Sequence, residues 1–401
     1  MTRLAHGVIG AGYGDEGKGR TVDAIVRRLG ARTTVVRSNG GAQAGHSVVT
    51  PDRRRHVFHH LGSGAFAGAP THLSRFMVSH PMMLAAEVQT VAALGGETKV
   101  TADPRGFVTT PWDMMVNQML EAARGDGRHG SCGLGFGETV GRCEETGFGL
   151  AVGDLEGPGL RDRLAAIRDV WLPGRLAALA IEQPDPAILA FAASDGVLDR
   201  FVEDCRIFRQ LARMADDAGL GTANQLVFEG AQGLMLDQGH EDFPHVTRSN
   251  TGIRNMLAIA GEAGIEELAA HYATRCYLTR HGRGPMTDER DITGFFAVDD
   301  PTNIPNPWQE TLRTGLLDTD LLARTIKADV ALASDSSIAV EPRLTVSCLD
   351  QARDGRVTCL TAGEARTMPA ARFPAWLGKT VGAAQAAGSW SPWNPAQYSR
   401  R

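Results

Sequence analysis

Lysine is scarce in this chain. It stands at only four of 401 positions, Lys18, Lys99, Lys327 and Lys379, although Lys and Arg together number 41. Nearly all positive charge is arginine, a skew of the kind that the base composition of coding DNA produces. Arginine counts therefore mean little, and a retained lysine means more. Positive charge is not in excess either: the formal net charge is −5, so there is no global basic field to hold a nucleic-acid backbone. An apolar run of about 18 residues, the length needed to span a membrane, is missing. The first seven residues lead straight into a strand-like stretch without a long apolar core, so no secretory leader is expected and the expected location is cytoplasmic. Six cysteines, at 132, 143, 205, 276, 348 and 359, show no C-x-x-C spacing. They read as free thiols in a reducing compartment, not as a zinc site or a disulfide framework.

Glycine, in contrast, is plentiful. There are 47, about one residue in nine, against a usual share of ~7%. Hydrophobic residues at 43% and charged residues at 22% are ordinary for a globular protein. Residues 4–10 read as a buried strand, followed by glycines, a helix from about 17 to 29, and a second strand at 33–37. That order opens a parallel α/β sheet. Helical spacing recurs at 81–94 and, in amphipathic stretches, at 160–170 and 195–218. Further strands are expected at 226–228, 274–279 and 344–349, and a surface loop from residue 388. No flexible linker divides the chain, which predicts one large domain with a mainly helical subregion at about 155–220.

The first chemical signal is Gly12-Tyr13-Gly14-Asp15-Glu16-Gly17-Lys18-Gly19, between a strand and a helix. Glycines there let backbone N–H groups approach phosphate oxygens, and the helix N-terminus adds partial positive charge. Read as G-x-x-x-x-G-K, the loop resembles a Walker A motif with Lys18 on the β/γ-phosphates, but Gly19 replaces the hydroxyl residue that would hold Mg²⁺. Read as G-x-G-x-x-G, it mimics a dinucleotide fingerprint. The next strand ends in Arg37, so only an NADP version of that reading survives. A tight turn without ligand is the third alternative. Asp15 weighs between them, because a carboxylate beside a phosphate is repelled unless Mg²⁺ bridges the two or the carboxylate acts as a base.

Other glycine-rich or polar turns follow strand-like segments. Gly40-Gly41-Ala42-Gln43-Ala44-Gly45-His46-Ser47 carries an amide and a histidine. Gly130-Ser131-Cys132-Gly133 opens a third loop. Phe228-Glu229-Gly230-Ala231-Gln232-Gly233 offers a bidentate amide. Val246-Thr247-Arg248-Ser249-Asn250 and Thr279-Arg280-His281-Gly282-Arg283-Gly284-Pro285 are compact polar turns. Together they suggest a phosphorylated substrate held largely by backbone N–H groups.

These motifs, in this order, resemble the adenylosuccinate synthetase family. The resembling segments are Gly14–Gly19 (G-D-E-G-K-G), Ala44–His46 (A-G-H), Phe228–Gly233 (F-E-G-A-Q-G), Val246–Asn250 (V-T-x-S-N) and Thr279–Pro285 (T-R-x-G-x-G-P). The resemblance implies an α/β fold with a large, mainly parallel central sheet, a P-loop-like N-terminal βα unit and a helical subdomain. It also implies a shortened nucleotide-base region at about 319–401, and a homodimer. The implied chemistry has two steps. GTP, or ATP, phosphorylates the 6-oxygen of a purine nucleotide, and the amine of L-aspartate then displaces phosphate to leave an N-succinyl purine nucleotide. By resemblance Asp15 is the base, His46 stabilises the transferring phosphoryl group, Lys18 neutralises phosphate charge and Gln232 fixes the purine. Mg²⁺ is the implied cofactor, on Asp15 and the Gly45 carbonyl. Gly14, Glu16, Gly17, Gly19, Gly45, Ser47 and Asp350 are the implied nucleotide and phosphate contacts. Gln43, Ser131, Cys132, Thr247, Gln232 and Arg280 would meet the substrate nucleotide, and Arg313 and Thr311 the amino acid.

The chain departs from the family pattern in places. Gln43 replaces an asparagine, and Cys132 a hydroxyl residue. The paired basic residues before Val152–Leu155 are missing, and Arg142 is the nearest arginine. Of the basic cluster expected near the amino-acid loop, only Arg313 is present, although two carboxylates are best met by guanidinium forks. The guanine-recognising T-K-L-D corresponds to Ser347-Cys348-Leu349-Asp350, without the lysine. Ile326-Lys327-Ala328-Asp329 competes for that role but reads as helix. Two alternatives within the family are a phage-type enzyme that uses dGMP and a ligase with another amine donor. Many phage-type enzymes replace the catalytic aspartate with a smaller residue, so Asp15 argues against the first.

Overall fold

The computed structural model describes residues 3–30, 32–181, 183–223, 225–299 and 312–390. In chain order, strand β1 (Leu4–Gly10) runs through the glycine loop into helix α1 (Lys18–Leu29) and then β2 (Thr33–Arg37). A hairpin, β3 (His46–Val49) and β4 (Arg55–Phe58), precedes β5 (Thr71–Leu73), α2 (Pro81–Ala93) and β6 (Val100–Ala102). Helices α3 (Pro111–Arg124) and α4 (Phe136–Glu145) follow. Then come α5 (Leu160–Ala166) and α6 (Leu172–Ala178), α7 (Pro186–Ala192), and α8 (Asp195–Leu211), which leads into β7 (Ala212–Met214). The second half holds β8 (Gln225–Gly233), α9 (Ile253–Glu262), β9 (Glu267–Arg275), β10 (Leu278–Arg280) and β11 (Arg313–Gly315). It closes with β12 (Leu317–Asp318), α10 (Thr319–Ala331), β13 (Ala339–Ser347), β14 (Arg356–Thr361), β15 (Glu364–Pro369), α11 (Phe373–Thr380) and β16 (Gln385–Gly388).

Nine strands form one sheet in the order β16-β13-β9-β1-β8-β2-β5-β6-β7, and every pairing is parallel. A parallel sheet needs cover on both faces. α1 supplies part of one face: Val22, Ile25 and Val26 fall one helical turn apart and pack on Val8, Val35 and Val227. A larger core joins β1, β8, β9 and β13 to α9, α10 and α11. A separate core gathers α2, α3 and the helices of 160–211 around the β5–β7 edge, with Trp112, Phe201 and Phe208 fully buried. Among the described residues no helix is long and apolar enough to cross a membrane.

Three expectations need correction. The helix expected at 195–218 ends at Leu211, because Ala212–Met214 joins the sheet edge beside β6. The strand expected at 344–349 starts at Ala339 and ends at Ser347; Pro342 within it cannot donate to a ladder, which hid its first half. The strand expected at 274–279 is two strands, the end of β9 and β10, separated at Cys276-Tyr277.

Candidate active site

Parallel strands deliver their carboxyl ends to one edge, where ligand sites of such sheets form. β1 ends at the Gly12 loop, β2 at Ser38–Gly41, β8 at Glu229–Gly233 and β9 at Arg275. The register sets Arg37 opposite Glu229 and Gly10 opposite Gly233. Asn39 ties three of the motifs together. Its amide donates to Ala231 O (3.2 Å) and Ser249 Oγ (3.1 Å), and its Oδ1 accepts from Ala231 N (2.7 Å). Gly40, at φ 73°, leaves no room for a side chain: a Cβ there would lie 2.5 Å from that of Ala231.

The Gly12 loop is closed around its own carboxylate. Glu16 Oε1 accepts from Gly12 N (3.0 Å) and Gly14 N (2.7 Å), and Lys18 Nζ donates to Glu16 Oε2 (2.9 Å). Both side chains are 4% exposed, so this is a buried ion pair on a backbone nest. Gly17 and Gly19 flank it, and no side chain caps the N-terminus of α1. That terminus keeps the partial positive charge that suits a phosphate.

Asp15 sits in this loop with a left-handed backbone, φ 60°. Arg275 Nε donates to its carbonyl (2.5 Å), Ser347 Oγ donates to the carbonyl of Glu16 (3.1 Å), and His281 Nε2 lies 2.9 Å from Asp15 Oδ2. Burial pushes the Asp15 carboxyl up, but the hydrogen bond and charge of His281, then Arg275 and Lys18, outweigh it and hold the pKa at about 2. Asp15 is therefore ionised at neutral pH.

His46, at the start of β3, is buried. Its Nδ1 lies 2.6 Å from Glu229 Oε1. Glu229 also accepts from Ser63 N (2.9 Å) and from the Ser63 hydroxyl. Despite complete burial, the His46 contact, the Arg37 charge and the Ser63 hydroxyl hold Glu229 at about 2. Burial pushes the His46 ring below its usual value, against the pull of Glu229. The carboxylate thus fixes Nδ1 as the donor and leaves Nε2 on the side of the ring away from Glu229. Nε2 is buried and makes no hydrogen bond. Arg37 is fully buried and donates to His59 O (2.6 Å), with its charge acting on Glu229.

Two amides face the same glycine pair. Gln232, at φ 57°, brings its side chain to Gly40, and that of Gln43 lies against Gly41. Gln232 Oε1 and Gln43 Nε2 are buried without hydrogen-bond partners. A buried acceptor and donor left unmade carry a penalty that a polar ligand removes.

The other expected contacts are placed differently. Glu121 of α3 accepts from Gly130 N (2.9 Å) and Ser131 N (3.3 Å), so those N–H groups are not free for phosphate. Ser131 Oγ pairs with Asn117, and burial raises the Cys132 thiol. Thr247 N donates to Leu236 O (2.9 Å), across the loop that joins them. Arg280, buried under Tyr13, donates to Asp242 Oδ2 (3.0 Å), Pro285 O (2.5 Å) and His245 O (2.7 Å). Arg313 grips Glu289 and donates to Gly282 O (3.0 Å) and Gly284 O (2.8 Å). Ser47 and Gly45 lie beside His46, with Gly45 exposed. Asp350 is exposed in a short turn after β13. Thr311 lies outside the described residues. Glu229, Glu121, Arg275 and His281 were not singled out from sequence. Glu229 did leave a signal, a charge in the otherwise apolar strand run Leu226-Val227-Phe228.

The family model described as adenylosuccinate synthetase matches residues 7–331. The chain belongs to the adenylosuccinate synthetase family. It is 32% identical over 300 residues to the adenylosuccinate synthetase of Anaeromyxobacter sp. (strain K), an alignment covering 72% of this chain and 66% of that protein. With the enzyme of Xylella fastidiosa (strain 9a5c) it shares 30% over 301 residues, 71% of this chain and 65% of the other. The matches thus span just under two thirds of the length of these relatives. The fold is similar to that of the fully ligated adenylosuccinate synthetase of Plasmodium falciparum, with TM-score 0.72 and 17% identity, covering 98% of this chain and 99% of the other. It is also similar to a cyanophage S-2L succinoaminodeoxyadenylate synthetase bound to dGMP and dATP, with TM-score 0.61 and 15% identity, covering 99% and 95%.

Within this adenylosuccinate synthetase family member, Arg142, the arginine nearest to the missing basic pair, does not take that pair's place on the surface. It is fully buried, pairs with Asp113 (2.8 Å) and donates to Phe148 O and Val108 O. Asp329 is likewise excluded from base recognition. Its carboxylate accepts from Tyr272 OH (2.8 Å) and Ile253 N (3.0 Å) and so caps α9 from inside the core.

Proposed function

We propose that the protein is a nucleoside-triphosphate-dependent carbon–nitrogen ligase that converts IMP and L-aspartate to adenylosuccinate, using GTP. Asp15 takes the N1 proton of the purine, which places negative charge on O6. O6 attacks the γ-phosphorus of GTP, and the nucleoside diphosphate leaves. Lys18 and His46 meet the charge that spreads over the phosphoryl oxygens. His46 takes a proton from solvent on Nε2 as that anion arrives, with Glu229 holding the other side of the ring. The aspartate amine then attacks C6, gives up a proton to solvent, and phosphate departs carrying O6. Gln43 and Gln232 hold the purine edge through their unsatisfied amide atoms.

The observation that carries this reading is His46 Nε2, buried, unpartnered and held by Glu229 within the field of Lys18, the same cation that acts on the ionised Asp15. Mg²⁺ would be held by the Asp15 carboxylate and the carbonyl of Gly45, an exposed residue; so few protein ligands suit an ion that keeps waters and phosphate oxygens. Bound there, Mg²⁺ would neutralise phosphate charge. Asp350 favours guanine over adenine, because a carboxylate accepts from guanine N1–H and the 2-amino group. Six free thiols suit a cytoplasmic setting.

The test is incubation with Mg²⁺, GTP or ATP, and IMP, dIMP, GMP or dGMP, with and without aspartate, following phosphate release and product mass. The expected product is the succinylated IMP, and Asp15→Ala is expected to release no phosphate. Turnover by Asp15→Ala, or phosphate release from dGMP and not IMP, overturns this reading.

A further inference from the structure

The turn that follows β10 reaches two parts of the site at once. Its His281 touches the Asp15 carboxylate, with Nε2 2.9 Å from Oδ2. Its next residue, Gly282, lies against the loop of Gly130 with no side chain between them: a Cβ on Gly130 would fall 2.7 Å from Gly282 Cα. Arg283 N donates to His129 O (3.3 Å), and Arg313 grips the carbonyls of Gly282 and Gly284. The turn is thus fixed from both sides.

Asp15 needs such support. Its backbone is held by Arg275 at the carbonyl, but a carboxylate on a left-handed residue can still rotate about its own side-chain bonds. A base must meet its proton along a lone pair, and misplacement by about 1 Å can cost roughly 100-fold in rate. We infer that His281 is a positioning residue for Asp15: it donates to Oδ2 and sets the plane of the carboxylate, so that Oδ1 is presented to the reacting groups. Through Gly282 it also links that orientation to the seat of the Gly130–Ser131 loop. The role rests on the reading of Asp15 as the base.

Three variants of the full chain separate the possibilities, assayed with IMP, GTP, aspartate and Mg²⁺ for kcat and KM and by urea unfolding. Asp15→Asn tests the reading itself and is expected to abolish phosphate release; turnover there, or none by the wild type, overturns both claims. His281→Leu is expected to lower kcat by about 10–100-fold while the KM for IMP stays within about threefold. His281→Gln, which can place an amide N–H near the position of Nε2, is expected to regain most of that loss. Wild-type kcat in His281→Leu overturns the positioning role. So does an equal fall in both variants when their urea midpoints match the wild type. An unfolded His281→Leu moves the decision to His281→Gln, where a nitrogen-resolved NMR signal from the amide, shifted when Asp15 is also changed to Asn, supports the bond. A signal indifferent to Asp15 refutes it.

Discussion

His46 Nδ1 and Glu229 Oε1 lie 2.6 Å apart although 183 residues separate them in the chain. The pair joins the β3 hairpin to the end of β8 and decides which nitrogen of the ring faces the site. Glu229→Gln keeps the shape but offers a neutral amide, so the ring loses the charge that stabilises its protonated form. Phosphate release under saturating substrates is expected to fall roughly 100-fold. Ser63→Ala, which removes only a hydroxyl from the same carboxylate, is expected to cost less. Stopped-flow phosphate detection compares the two.

Glu16 and Lys18 form a buried pair whose positive member is also the expected phosphate contact. Glu16→Gln leaves the Lys18 ammonium without its counter-charge. Stability is expected to drop by about 3 kcal/mol, the scale for breaking a buried pair. A triphosphate supplies the missing charge, so the rise in melting temperature on adding GTP is expected to be larger in the variant than in the wild type. Equal shifts contradict this account.

Asp329 gives a pH signature. Burial pushes its carboxyl up to about 6, against hydrogen bonds from Tyr272 and Ile253. In the folded state it therefore holds a proton that the unfolded chain, at about 3.9, has already lost. Between these values the folded form binds more protons, so stability falls as pH rises from about 4 to about 6 and then levels off. The size is roughly 2–3 kcal/mol. Asp329→Asn removes this dependence while keeping an acceptor for Ile253 N. The stability difference between variant and wild type, from urea unfolding at pH 4.5 and 7.5, is expected to shift toward the variant at the higher pH.

Gly130 stands at φ 77° against the backbone of Gly282. Gly130→Ala meets both a disfavoured conformation and a backbone clash that no side-chain rotation relieves. A loss of about 2 kcal/mol is expected in urea unfolding. Gly127→Ala is a control, since open space surrounds a Cβ there.

Much of the site was legible because its parts are local. A strand, a glycine turn and an amphipathic helix follow one another at 4–29, and the motifs around Asp15, Lys18, His46 and Gln232 lie next to strands that the apolar runs reveal. Partnership was not legible. Glu229 and His281 meet His46 and Asp15 only because the fold brings distant segments together, and Glu121 meets Gly130 only because the chain turns back after α3; nothing in local spacing reports either. Arg142 and Arg280 show the converse problem. A charged residue near a motif reads as a ligand contact until its burial against Asp113 or Asp242 is seen. The three-residue strands Thr71–Leu73 and Val100–Ala102 were invisible because they are too short for periodicity and gain their stability from parallel neighbours on both sides.

The carboxylate of Glu16 lends the Gly12 loop one further property. It is an anion on a tether of a few bonds, and a tethered group competes at an effective concentration of about millimolar or more. A lone orthophosphate ion below that level gains too little to displace it. A triphosphate, which also collects the open N-terminus of α1, gains more with each added charge. With the triphosphate held there as proposed, the loop is expected to discriminate by number of charges and to ignore free phosphate.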